Sequence, residues 1–153
     1  MRTAVDVHNY LVERDIAHEM VPMRGRLRDP DRAAAVLGLE PGQVGRVALL
    51  EADGRLVAAL VQADRAADPA RVAEVVGASS AEDVAPARAT DLTEFLAEAI
   101  PPVGLPEATT VVLDVSLAEQ EVLYFPGGEA TSVLKIRAED LLAATGGSIA
   151  AIS

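Results

Sequence analysis

A chain of 153 residues, half of them apolar and 24% charged, is sized for one ordinary domain and is too apolar to stay disordered. It contains no cysteine, which excludes disulfides, cysteine-ligated zinc and thiol nucleophiles, and its aromatics (Tyr10, Phe95, Tyr124, Phe125) give few platforms for stacking bases. The net charge of −11 repels phosphate at long range, so DNA is not an expected partner, although a local basic patch leaves room for one end of an RNA.

Met1 to Asp6 acquire an acid at once and hold no long apolar stretch, unlike a secretory signal. No run approaches the ~20 apolar residues of a membrane span, so a cytoplasmic chain without a membrane partner is expected. Residues 3–14 predict an amphipathic helix, with Ala4, Val7, His8, Leu11 and Val12 at helical spacing, Thr3 as N-cap and Asp6 in the first turn. Ile16 to Val21 predict a strand that Pro22 ends. Met23 to Arg28 form a basic loop, and Asp29-Pro30-Asp31 opens a helix through Leu37 that Gly38 stops.

Gly45 to Glu51 and Arg55 to Gln62 are β-like runs around Ala52-Asp53-Gly54, which marks a hairpin. Asp68-Pro69 opens a helix to about Val76, before Gly77; residues 78–89 carry little pattern. Asp91 to Ala99 predict a further helix, running into Ile100-Pro101-Pro102-Val103-Gly104, where paired prolines make a rigid loop. Thr109 to Asp114, Glu121 to Phe125 and Thr131 to Ile136 predict strands, with Gly127-Gly128 in the last turn, and a helix over Ala138 to Ala144 stops at Gly146-Gly147. With at least two hairpins, this order argues for an α+β fold: a mixed, largely antiparallel sheet with helices around it, not a doubly wound parallel one. No Gly-rich run follows a strand and opens a helix, so no dinucleotide or P-loop fingerprint is present. His8 and His18 lack clustered acids, and no nucleophile elbow is visible, so neither a metal site nor a Ser/His/Asp triad is expected.

In this order, several strings resemble the YbaK/prolyl-tRNA-synthetase-associated editing family of aminoacyl-tRNA deacylases. They are Ile16-Ala17-His18-Glu19, the run Ala33 to Gly38, Val44 to Leu50 with its Asp-Gly turn, Val111 to Asp114, Gly127-Gly128 and Asp140-Leu141. The most specific is Leu92 to Gly104, where the family shows a Thr-Gly-Phe opening and then a Gly, three residues and a Pro, followed by a hydrophobic residue and Gly. The resemblance covers nearly the whole chain and implies one barrel-like editing domain over residues 1–153.

It further implies a free-standing deacylase that cleaves the ester between a mischarged small amino acid and the terminal adenosine of tRNA, without a cofactor. Backbone groups of the loop hold the carbonyl or a water, a Lys of the first hairpin strand binds the terminal nucleotide, and the tRNA's ribose hydroxyl assists. Carried onto this sequence, the catalytic positions are Arg46, Glu98, Ala99, Ile100, Pro102 and Gly104. The substrate-binding positions are His18, Arg24, Arg26, Arg28, Asp114, Gly127 and Gly128, and the partner is the acceptor end of an aminoacyl-tRNA, with a homodimer left open.

The sequence departs from the pattern in three places. Arg46 replaces the Lys, and its planar fork is not interchangeable with an ammonium. Glu94 and Glu98 stand where the family has glycines. Arg46 reads either as a contact to a ligand's phosphate or carboxylate, or as a solvated arginine or one paired with Glu98. Glu98 reads as a general base or as a solvated acid, and the arginines Arg24, Arg26, Arg28 and Arg32 as a phosphate handhold or as a loop offset by Asp29 and Asp31. The alternative function is an impaired member that binds a nucleotide-like ligand or a protein.

Overall fold

The computed structural model describes residues 1–23, 34, 35 and 37–153. Helix α1 spans Ala4–Glu13; the Thr3 amide donates to the Asp6 carboxylate at 2.7 Å, and Val7 and Leu11 are the buried stripe. The chain then turns at Asp15 (φ 54°) while the Ile16 amide returns to the Leu11 carbonyl. That turn consumes the first half of the predicted strand, so β1 is only Glu19–Pro22. The predicted helix from Asp29 lies mostly outside the described residues, but it does stop at Gly38 (φ 68°).

Strands β2 (Gly45–Ala52) and β3 (Arg55–Gln62) form the predicted hairpin. Asp53 and Gly54 both have positive φ (50° and 78°), which a two-residue turn matching strand twist requires. Helix α2 (Pro69–Val76) is capped by Asp68, which accepts from the Ala70 amide, and ends at Gly77. A short strand β4 (Ala81–Asp83), in the region without pattern, pairs with the end of β2.

Helix α3 is Pro86–Thr93, not the predicted Asp91 to Ala99. It starts early because Pro86 suits a first turn, and it stops early because Glu94 turns left-handed. The Thr93 hydroxyl donates to the Ala89 carbonyl and accepts the Phe95 amide, and Ala97–Ala99 make a single 3-10 turn. Strand β5 (Thr110–Asp114), helix α4 (Val115–Ala118), β6 (Val122–Pro126), β7 (Ser132–Arg137), α5 (Ala138–Thr145) and β8 (Ser148–Ala150) complete the chain.

The architecture is α+β and mixed. One antiparallel sheet has the order β1-β7-β6; the other is β4-β2-β3-β5-β8, with β5 parallel to both β3 and β8. Among the described residues the sheets remain open, joined by one bridge between Val44 and Tyr124. The central strands β2, β3 and β5 of the five-stranded sheet are buried on both faces. Val47, Leu49, Ala58 and Leu60 meet Phe95, Ile100, Phe125 and Leu134, while Leu50, Val57, Ala59 and Val61 meet Val72 and Ile152. No helix of the described residues is long and apolar enough to cross a membrane.

Candidate functional site

Alternation along β2 sends Val47 and Leu49 into the larger core and leaves Arg46 half-buried on the opposite face. The Arg46 Nε donates to the Arg65 carbonyl at 2.9 Å, which fixes the plane of the guanidinium. Among the described residues its two Nη groups have no hydrogen-bond partner and no carboxylate within ion-pair distance. Arg46 lines a cavity of about 300 Å³ together with Leu49, Ala67, Asp83, Ala97 and Ile100.

The last two residues come from the segment that follows α3. Glu94 lies at φ 64°, the left-handed region that favours glycine, and this reversal buries Phe95. Ile100 takes the extended conformation that a following proline enforces, with φ −62° and ψ 120°. From Ala99 to Gly104 every residue is buried, whereas Glu98 is exposed in the 3-10 turn. Among the described residues no ion pair joins Glu98 to Arg46. The Ala99 carbonyl accepts the Gly128 amide at 3.0 Å, so the β6–β7 turn braces this loop from behind.

The loop therefore works as a partition: Ala97 and Ile100 face the Arg46 cavity. Pro102 and Gly104 face away from it, lining a second cavity of about 430 Å³ with Tyr10, Arg14 and Thr109. The model of the aminoacyl-tRNA editing domain matches residues 25–144. The chain belongs to that family. Its backbone is similar to hypothetical protein APE2540 (TM-score 0.89, 22% identity, covering 96% of this chain and 98% of that one). It is equally similar to a scaffold used for computational epitope grafting (0.89, 24%, 100% and 97%). A third similar structure is described as a proposed trans-editing enzyme for prolyl-tRNA synthetase (0.90, 23%, 100% and 98%). At these identities the likeness carries the fold. No curated protein sequence matches the chain.

The editing-domain fold disperses the remaining candidate positions. Gly127 and Gly128 pack too tightly to carry a side chain: a Cβ on Gly127 would lie 2.9 Å from the Ser132 Oγ, and one on Gly128 would lie 3.0 Å from Phe95 and Val7. Their place is behind the loop, away from the residues that line the Arg46 cavity. His18 donates from Nδ1 to the Ile16 carbonyl at 2.7 Å, and its Nε2 shares a 2.9 Å hydrogen bond with the His8 Nδ1, beside a separate cavity of about 220 Å³ with Glu19 and Lys135. Among the described residues no third ligating side chain joins the pair.

Asp114 is buried, and its carboxylate accepts from the Ser116 amide and hydroxyl and from the amides of Ile152 and Ser153. Burial pushes its pKa up, but these hydrogen bonds outweigh burial and hold the carboxyl below its ordinary value. The group is thus occupied in capping α4 and holding the end of the chain. Arg24, Arg26 and Arg28 lie outside the described residues. Sequence reasoning missed Asp83 and Ala97 at the cavity, and Arg65, whose carbonyl holds Arg46. Asp83 sits on a three-residue strand too short for periodicity to show, and Arg65 contributes only a carbonyl, which no side-chain pattern encodes.

Proposed function

We propose that this chain is a free-standing aminoacyl-tRNA deacylase that hydrolyses the ester of a mischarged small amino acid, using the cavity between Arg46 and the Ala97–Ile100 turn. Membership of the editing-domain family supplies the reaction class. The observation that carries the assignment is one cavity shared by an oriented cation and the loop. Arg46 has two Nη groups to offer the phosphate or ribose of the terminal nucleotide, a geometry suited to charge-assisted contacts. The walls include Ala48, Ala66, Ala67, Ala89 and Ala97, and about 300 Å³ is at the small end for a ligand site, which favours a short side chain.

In the reaction, the oxygen of water bonds to the ester carbonyl carbon and the bond from that carbon to the ribose oxygen breaks. The ribose oxygen leaves with the electron pair and takes a proton that water has given up, so the products are a free amino acid and a tRNA with its terminal hydroxyl restored. The protein's part is positioning and oriented dipoles along the buried loop, with discrimination set by how much side chain the cavity admits.

The competing reading is a binding module for a nucleotide-like ligand or a protein, and it draws support from the Glu at positions 94 and 98. The open cavity and the exposed Glu98 favour the enzyme. The test is a panel of mischarged tRNAs with ester loss followed over time. The expected result is acceleration on a small amino acid, reduced roughly tenfold or more in kcat/KM by Arg46→Met, the range for one lost charge-assisted contact. No acceleration on any member, with nucleotide binding retained, would leave the binding module.

A further inference from the structure

The loop that walls the Arg46 cavity begins at a left-handed residue, Glu94, and ends at another, Gly104 (φ 72°). Both ends are held by one amino acid. The Arg2 amide donates to the Glu94 carbonyl at 2.7 Å, and the Arg2 Nη1 donates to the Gly104 carbonyl at 2.5 Å. Between these contacts the guanidinium lies 5.0 Å from the centre of the Phe95 ring, a cation–π geometry over a fully buried aromatic. Glycine suits position 104 for its left-handed backbone and not for lack of space, since a Cβ there would meet the Arg2 Nη2 at an ordinary contact distance of 3.5 Å.

The next residues extend the clasp. The Ala4 amide donates to the Glu129 carboxylate at 3.1 Å, and the neighbouring Gly128 amide reaches the Ala99 carbonyl. The loop is thus pinned at both ends by Arg2 and at its middle by the β6–β7 turn, which is itself tied to the start of α1.

We infer that Arg2 is a positioning residue that sets the catalytic geometry of the cavity by clamping the loop from Glu94 to Gly104, a reading that rests on the deacylase assignment. Arg2 itself is not among the residues that line the Arg46 cavity, and it acts through the wall that Ala97 and Ile100 present. A wall displaced by about 1 Å misaligns a bound ester, which costs rate more than it costs binding.

The test compares Arg2→Met, which keeps length and contact with Phe95 but has no side-chain donor for Gly104, with Arg2→Lys, which keeps the charge and an ammonium that can donate. Deacylation of the tRNA that the unaltered protein hydrolyses fastest is read as separate kcat and KM, and amide hydrogen exchange is followed at Leu105 and Gly128 alongside Val7 and Leu11. The Met variant is expected to lose about 10- to 100-fold in kcat with KM little changed. Its exchange at Leu105 and Gly128 rises while that of Val7 and Leu11 holds, and the Lys variant recovers part of both effects.

Unchanged loop exchange in Arg2→Met, or a loss confined to KM, overturns the inference. So does a Lys variant no better than Met. Should the Met variant melt, Arg2→Gln stands in on the same readouts. If the unaltered protein hydrolyses no tRNA, the deacylase reading fails, and the exchange arm still decides whether Arg2 clamps the loop.

Discussion

At Glu94 the backbone takes a conformation that costs an L-residue roughly 1 kcal/mol or more, in the position where the resembled family carries glycine. The side chain is exposed and has no ion pair among the described residues, so nothing offsets that cost locally. Glu94→Gly is therefore expected to raise stability by about 0.5 kcal/mol, the relief of strain less the extra entropy of an unfolded glycine. Calorimetry would register this as an upward shift in Tm of about 1–2 °C; a fall would show that the Glu side chain contributes more than the strain costs. Asp114 gives the opposite case, a residue whose side chain is fully committed. Its folded pKa lies below the unfolded value, so its stabilisation is present above about pH 4 and is lost as pH falls through the folded value. Asp114→Ala strands the buried Ile152 amide and should cost about 2–4 kcal/mol at neutral pH, with the deficit shrinking in acid. Urea titrations at neutral and acidic pH measure both statements, and a deficit independent of pH would refute the linkage.

At the scale of elements, the two sheets can meet only because β2 begins with a glycine. A Cβ on Gly45 would lie 2.5 Å from the Phe125 Cε1 and 2.7 Å from its Cζ, in the buried seam beside the Val44–Tyr124 bridge. Gly45→Ala is expected to destabilise by about 2–3 kcal/mol through overpacking, with the m-value preserved. Because Arg46 is the next residue, the cavity should be distorted and hydrolysis reduced as well; a variant of unchanged stability would mean that the ring slides aside. Sequence pattern captured the hairpin at Asp53-Gly54 and the caps of α2 because in both cases local chemistry decides the structure. It failed over 91–99, where helical spacing continues but Glu94 reverses the chain, a tertiary choice that buries Phe95. It also passed over β4, α4 and β8, which are three or four residues long and owe their existence to pairing or capping supplied from elsewhere in the chain.

Over the whole molecule, the candidate site was legible in part. Arg46 and the Ile100 segment were carried over from the family resemblance, and both line one cavity. Asp114 was chosen from a motif and turns out to be spent on the backbone, and Arg2 carries no motif at all because its role depends on where the loop carbonyls point. Charge extends the same argument to binding. The net charge is −11, and among the described bases Arg71, Arg88, Lys135 and Arg137 already face carboxylates within 4.0 Å. Among the described residues few cations remain to displace counterions from an RNA, so this part of the molecule should grip only the acceptor end. A plot of log affinity against log salt is expected to have a shallow slope, roughly −1 to −3, as for two to four phosphate contacts. Arg46→Met should weaken binding and make the slope shallower by about 1, while a charge-reversing change far from the cavity, such as Glu82→Lys, should leave the contact count unaltered. Fluorescence anisotropy with an uncharged tRNA across a salt series reads both. A steep slope would mean that the basic stretch from Arg24 to Arg32 grips the backbone broadly, and an unchanged slope in Arg46→Met would remove this residue from the phosphate.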